Sequence, residues 1–169
     1  IPRGSGAVIS QDGSTAVYLI EAPKQAVRQA KIDKKKAHEM PKDTLVILDL
    51  KSGTRTVFPD VDRMYAGDDL QNYVVYRQAQ TEASNEGGRG LYITDIRTLT
   101  TDTIAHVDDC VVSSKGGKII YATEPAKDDS LGKRELHLLI PSTGKDITLY
   151  STPKEGLISG IEFNEEATA

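Results

Sequence analysis

The chain has 169 residues and a formal net charge of −4, with 38% hydrophobic residues, one cysteine and no tryptophan. This size and composition suit one ordinary domain, and the negative charge argues against nucleic acid as a partner. The longer apolar runs, such as 16–20 and 45–48, are too short to span a membrane, and one cysteine excludes an intrachain disulfide.

The first residues, Ile1 to Gly6, lack a basic region followed by an apolar stretch, so we expect no signal peptide within them. The segment Pro2 to Ser5 resembles the remnant of a protease-cleavable tag. Gly and Ser that lead into a strand are equally ordinary in a loop, so both interpretations stay open.

Two patterns each recur three times along the chain. The first is a turn followed by an apolar strand that ends in tyrosine, at residues 10–18, 68–76 and 113–121. The second is a strand that begins with leucine and runs into a polar turn, at residues 45–53, 91–99 and 136–144. From the tyrosine to the next leucine is 15 positions in the second and third copies but 27 in the first. The first copy therefore contains an insertion of 12 residues.

A repeat of about 45 residues with about four short strands is typical of a β-propeller blade. We therefore predict an all-β fold, a propeller fragment of three four-stranded antiparallel blades plus the first strand of a fourth. The predicted limits are 7–59, 60–106 and 107–151 for the three blades and 152–169 for the start of the fourth. Such a fragment leaves sheet edges open, which favours self-association through them.

The predicted strands follow the repeat in chain order. They are 7–10, 16–21, 45–50 and 55–58 in blade one, then 63–66, 72–77, 90–95 and 101–106 in blade two. Blade three has 109–113, 118–123, 135–140 and 146–150, and the fourth blade opens with 157–163, with 167–169 as the start of its partner. Polar loops at 81–89 and 124–134 recur at one end of the blades.

The insertion, residues 22–42, has seven Lys and Arg against Asp33 and Glu39, a local charge of +5. Its Ala, Lys, Arg and Gln between Pro23 and Pro41 favour a short helix with a thin apolar face. Two interpretations stay open: a solvated lysine-rich helix or hairpin tip, or a docking element for an acidic partner or lipid headgroups. The candidate interaction surface consists of Lys24, Arg28, Lys31, Lys34, Lys35 and Lys36.

Motifs for chemistry are missing from the sequence. It contains neither a Gly-x-Ser-x-Gly nucleophile elbow nor a Walker phosphate loop. His38, His106 and His137 have no partner at metal-ligand spacing, and Cys110, next to two valines, fits a buried side chain better than a reactive thiol. We therefore predict no catalytic, cofactor-binding or metal-binding residue in this chain.

The motif Ser-x-Asp-Gly-x-x-x-x-Tyr at 10–18, with Leu-x-Ile-x-Asp-Leu-x-Ser-Gly at 45–53, resembles the blade repeat of TolB-like and prolyl oligopeptidase-type propellers. The lysine-rich insertion, which ends in Met-Pro-Lys-Asp-Thr-Leu at 40–45, is similar to that of secreted or periplasmic S9 peptidases of the prolyl oligopeptidase family. The resemblance covers essentially this whole chain but only part of such a protein. Leu70 and Lys115 depart from it at the position of Asp12, and Ile140 departs at that of the strand aspartate.

The resemblance implies a function for the parent protein. A C-terminal α/β-hydrolase domain of the parent chain would provide the catalytic Ser, Asp and His, and this segment would gate and position peptide substrates without catalysing anything itself. It implies a periplasmic or secreted location and no cofactor. An alternative is a TolB-like or WD40-like interaction module with no associated enzyme, and a third is a small protein that completes a ring by self-association.

Overall fold

The computed structural model describes residues 3–65, 67, 70–79, 90–114, 117–126, 129 and 131–164. Its strands are β1 (Gly4–Ile9), β2 (Thr15–Ile20), β3 (Asp43–Asp49), β4 (Arg55–Tyr65), β5 (Tyr73–Gln78), β6 (Leu91–Asp95), β7 (Thr101–Ile104), β8 (Val107–Val112), β9 (Ile119–Thr123), β10 (Lys133–Ile140) and β11 (Lys145–Pro153). One α-helix, α1 (Lys24–Ile32), lies in the insertion, and short 3-10 helices occupy Ala37–Glu39 and Pro141–Thr143.

The strands form two antiparallel sheets in which sequence neighbours pair. One sheet has the order β1 to β7 and the other has the order β8 to β11. The first sheet contains two blades, because the two halves of β4 pair with different strands. Phe58 in its first half lies opposite Leu45 of β3, and Met64 in its second half lies opposite Tyr76 of β5. The structure thus confirms three four-stranded antiparallel blades.

The passage from one blade to the next differs from the prediction, which separated 55–58 from 63–66. The chain stays in one strand through Pro59 and turns at Asp60, whose φ of 57° is left-handed. His106 occupies the same position between blades two and three, with a φ of 58°. The carbonyl oxygens of Asp60 and His106 accept backbone hydrogen bonds from Ala79 and Glu124, at 2.7 and 2.8 Å. These bonds fix the direction in which each blade begins.

Two apolar cores lie where the blades face each other. The core between blades one and two contains Val17, Leu45, Ile47, Val61, Leu70, Val74, Tyr76 and Ile96. The core between blades two and three contains Val75, Leu91, Ile93, Val107, Cys110, Ile119 and Tyr121. Successive residues of β5, such as Val75 and Tyr76, enter different cores because strand side chains alternate between faces. Blade two is therefore buried on both sides.

The repeated tyrosine occupies one position in every blade. Tyr76 stacks on Tyr92 with ring centres 5.4 Å apart, and Tyr121 stacks on His137 at 4.9 Å. In blade one Val46 of β3 lies opposite Tyr18, so there is no second ring. The Tyr18 hydroxyl is buried and has no hydrogen-bond partner among the residues that the structure describes.

The predicted first strand of a fourth blade is not formed. Residues 157–163 have no strand assignment and pair with no strand in the described part of the chain. Ile158, Ile161 and Phe163 are nevertheless half-buried. The chain before them is anchored to blade three, where Arg134 Nε donates to the carbonyl of Lys154 at 3.1 Å. The predicted partner strand at 167–169 lies outside the described residues.

Candidate functional site

The insertion of blade one forms a nine-residue helix, α1, as its composition predicts. Pro23 provides the N-cap, where its missing N–H costs nothing, and Lys, Gln, Ala and Arg follow as good helix formers. The helix ends at Ile32, since Lys34 has a left-handed φ of 53° and its neighbour Lys35 donates its N–H back to the carbonyl of Ala30.

Only a narrow side of α1 is buried. Ala30 is 4% exposed, and Ala26 and Val27, which lie about one turn before it, are half-buried. Ile32 is 62% exposed and lies away from that side. The short apolar contacts leave most of the helix surface in solvent, in agreement with the predicted thin apolar face.

The six candidate surface residues are all exposed. Lys24, Arg28 and Lys31 are spaced by four and three residues, which places them along one side of the helix. None of the six forms an ion pair with another residue in the described part of the chain. Their charge is therefore available to a partner.

One anion of the insertion, Glu39, takes part in the local fold. Glu39 accepts the backbone N–H of Lys36 at 2.9 Å. That hydrogen bond holds the pKa of the Glu39 carboxyl below its ordinary value, assisted by the charges of His38, Lys35 and Lys36. Glu39 therefore stays ionised and closes a turn.

Three segments of the sequence join a second strand to a third strand, one in each blade. Residues 21–42 have seven cations against three anions, net +4, whereas 79–90 have a net charge of −1 and 124–132 a net charge of −2. The predicted loop at 81–89 lies outside the described residues. The segment in blade one is thus the positive one of the three.

Blade three has a histidine between two carboxylates that the sequence did not connect. His137 Nδ1 lies 3.3 Å from Asp146, and its Nε2 lies 3.5 Å from Glu135. Tyr121 donates its hydroxyl to Asp146, and burial together with this hydrogen bond raises the pKa of Tyr121. This histidine packs against a tyrosine in the repeat, which favours a structural role.

A second polar group missed by the sequence reasoning is Arg77, which is 5% exposed. Its Nη2 donates to the carbonyl oxygens of Val107 and Asp108 in blade three, at 3.2 and 2.7 Å. Its guanidinium also lies 5.7 Å from the centre of the Tyr65 ring. The sequence signal that could have indicated this burial is the position of Arg77 two residues after Val75, which places both side chains on the same face of the strand.

Cys110 lies in the core beside Tyr65, as the prediction of a buried side chain has it. Burial raises the pKa of its thiol to about 12, so it remains protonated at neutral pH. The described residues contain no group of three His, Cys, Asp or Glu arranged to hold a metal ion. Within the same residues, no helix has the length and apolar character needed to span a bilayer.

The sequence matches no protein-family model and no curated protein. Solved structures do match. The β-propeller domain of the trilobed protease from Pyrococcus furiosus, described as having an open velcro topology, has a TM-score of 0.53 at 14% identity and covers 94% of this chain and 45% of its own. An acylaminoacyl peptidase in complex with a chloromethyl ketone has a TM-score of 0.51 at 11% identity, covering 94% and 26%.

A match outside the peptidases has the same strength. An oligogalacturonate lyase in complex with manganese has a TM-score of 0.58 at 18% identity, covering 98% of this chain and 45% of its own. The chain spans less than half the length of these solved structures. At such low identities these matches show the fold alone. The chain has the β-propeller fold, which the propeller domains of peptidases also have.

Proposed function

We propose that this chain is the non-catalytic propeller segment of a prolyl oligopeptidase-like serine peptidase, which gates and positions peptides for an α/β-hydrolase domain of the same polypeptide. The observation that carries the proposal is the match of 94% of the chain to the propeller domain of a protease. The sequence resemblance of the lysine-rich insertion to that of S9 peptidases supports it, and it also supports a periplasmic or secreted location.

The contacts between blades suit a gate. Neighbouring blades meet at the turns after their first strands, where Gln11 donates its N–H to the carbonyl of Leu70 at 2.9 Å. A cavity of about 530 Å³ is lined by residues 63–65 and 109–112, which belong to the first strands of blades two and three. In the proposed gate these first strands line the passage, which admits an extended peptide and excludes a folded protein.

The test uses the complete natural polypeptide that contains these residues. A serine-directed fluorophosphonate should label a serine outside this chain, and short peptides should be hydrolysed whereas folded proteins are not. Gly67→Ala should allow longer peptides to be cleaved, because its Cβ would lie 2.4 Å from the carbonyl oxygens of Ser113 and Ser114 and push two blades apart. Gly117→Ala is the matched control, since its Cβ would meet only the movable side chain of Gln71.

A second candidate is an interaction module with no associated enzyme, and the exposed basic surface of the insertion favours it. The same experiment separates the two. A natural polypeptide that contains no hydrolase domain and takes no fluorophosphonate label would contradict the peptidase proposal and support the module. A labelled enzyme whose length limit is unchanged by Gly67→Ala would contradict the gate.

A further inference from the structure

Charge is unevenly divided among the segments that join second to third strands. Residues 21–42, which contain the insertion, have a net charge of +4, while 79–90 and 124–132 have −1 and −2. The chain as a whole is at −4. A local positive surface on a negative protein attracts anionic molecules to one place and repels them elsewhere. The insertion therefore presents a localised positive surface.

The surface is shaped for contact along a line. Lys24, Arg28 and Lys31 follow one side of α1 over about 10 Å, at the helical rise of about 1.5 Å per residue. Lys34, Lys35 and Lys36 continue the charge beyond the end of the helix and are exposed. Lys24 and Arg28 are separated by about 6.0 Å along the helix axis, and Arg28 and Lys31 by about 4.5 Å. In an extended peptide, side chains on one face recur at about 6.6 Å.

The residue types distinguish between classes of anionic partner. Residues 21–42 contain no Phe, Tyr or Trp, so they offer neither a stacking platform for bases nor an aromatic anchor for a bilayer. Ile32 is the one large apolar side chain of α1 that is well exposed, at 62%. Five of the six surface cations are lysines, whose ammonium groups pair with carboxylates as compact point charges.

We infer that the insertion binds an extended acidic polypeptide, with Asp or Glu at alternate positions opposite Lys24, Arg28 and Lys31. The inference rests on the proposed function, because that function is what brings peptides to this end of the propeller. On that view the surface selects acidic peptides among the substrates and holds them at the entrance. It explains why the extra residues occur in one blade, where they create a single positive edge.

The test is direct binding to the full 169-residue chain, which needs no hydrolase activity. A fluorescent peptide of alternating Glu and Ser, about twelve residues long, should bind with an affinity that falls steeply as salt rises from about 0.05 M to about 0.5 M. The triple variant Lys24→Gln, Arg28→Gln, Lys31→Gln should weaken binding about tenfold, as three exposed charge pairs would. These side chains are exposed, and circular dichroism checks that the variant is folded.

The matched control is Lys51→Gln, Arg55→Gln, Lys145→Gln, which removes the same charge from exposed positions at the opposite end of the blades. It should leave the affinity within about twofold. Equal loss in both variants would mean a net-charge effect and would overturn the inference. Tighter binding to an oligo-dT strand or to phosphatidylserine vesicles than to the acidic peptide would also overturn it. These binding results are independent of fluorophosphonate labelling and of the limit on peptide length. Either proposal can therefore fail while the other holds.

Discussion

The two interfaces between blades use the same positions of the repeat and differ in their chemistry. Where Leu19 packs into the first core, the second has Arg77, whose guanidinium donates to two carbonyls of blade three. Where Met64 packs into the first, the second has Cys110. The repeat thus sets which positions are buried and leaves open what fills them. Polar groups enter the second interface where the next blade provides acceptors.

The stacked pairs show the same contrast at a single site. Tyr76 and Tyr92 face blade one with an apolar and aromatic surface that also includes Phe58, 5.6 Å from Tyr76. Tyr121 and His137 occupy the corresponding positions in blade three, but Asp146 binds both of them. The second interface therefore contains titratable groups that the first lacks. The stability of the second interface should therefore depend on pH through groups that the first interface lacks.

The largest expected effect tests whether the two cores are equally packed. Leu45→Ala and Leu91→Ala remove the same side chain from positions that are both 0% exposed, one in each core. Each should lower the free energy of unfolding by about 3 kcal/mol, through lost burial and the cavity left behind. Urea unfolding followed by circular dichroism measures both. A loss at one position less than half that at the other would show that the cores are not equivalent.

A smaller effect is expected where backbone meets backbone at the second interface. Gly67→Ala should cost about 2 kcal/mol, because the added Cβ would lie 2.4 Å from two carbonyl oxygens that cannot move without shifting blade three. Gly117→Ala places a Cβ 3.2 Å from the end of the Gln71 side chain, which can rotate away. Thermal unfolding of the two variants should differ by several degrees, and equal melting temperatures would contradict the close approach.

The thiol should make the second interface sensitive to alkali. Unfolded, Cys110 loses its proton near its ordinary pKa of 9.0, whereas burial holds the folded pKa at about 12. The unfolded chain then binds fewer protons, so this contribution is complete below pH 9 and is lost as pH rises towards 12. Cys110→Ala should reduce the fall in stability over that range, and Met64→Ala should not. In urea titrations at pH 8 and pH 10.5, an unchanged fall for Cys110→Ala would contradict this account.

The smallest effect concerns an exposed turn that meets the first interface. Hydrogen bonds from Ser10 and Ser14, with Arg97 nearby, hold the pKa of Asp12 far below its ordinary value of 3.8. A lowered folded pKa gives stability above about pH 4 that is lost as the pH falls below it. Asp12→Asn should therefore narrow the difference in stability between pH 5 and pH 2.5. Asp62→Asn, a control at an exposed position of β4, should leave that difference as it is in the unmodified chain. Thermal melting curves of each protein at the two pH values measure the difference.

The spacing of Tyr and Leu in the sequence was enough to predict the blades, because alternation and turn chemistry are local. It could not predict that β4 continues through Pro59, since a left-handed Asp60 lets the chain bend without leaving the sheet. Residues 157–163 alternate like a strand, yet pairing requires a second strand and not only a pattern. The burial of Arg77 could not be predicted, because its acceptors lie 30 and 31 positions further on. Local patterns contain no information about such distant partners.

The basic surface of the insertion could be found from sequence because an extra segment with one sign of charge needs no tertiary contact to be noticed. What binds to it could not be found in the same way, since charge alone does not identify a partner. The histidine between two carboxylates was likewise hidden, because Glu135, His137 and Asp146 meet only when β10 pairs with β11.

The left-handed residues between blades have a consequence for how such a chain can lengthen. Asp60 and His106 are 46 residues apart, have left-handed φ values of 57° and 58°, and each accept a backbone hydrogen bond at the carbonyl oxygen. A duplication of residues 60–105 would therefore rejoin the polypeptide at two matching joints, with each copy already aimed to stack on the last. The number of blades can then change by whole repeats without a change in the pairing of any sheet. The boundary of each added repeat is a single residue.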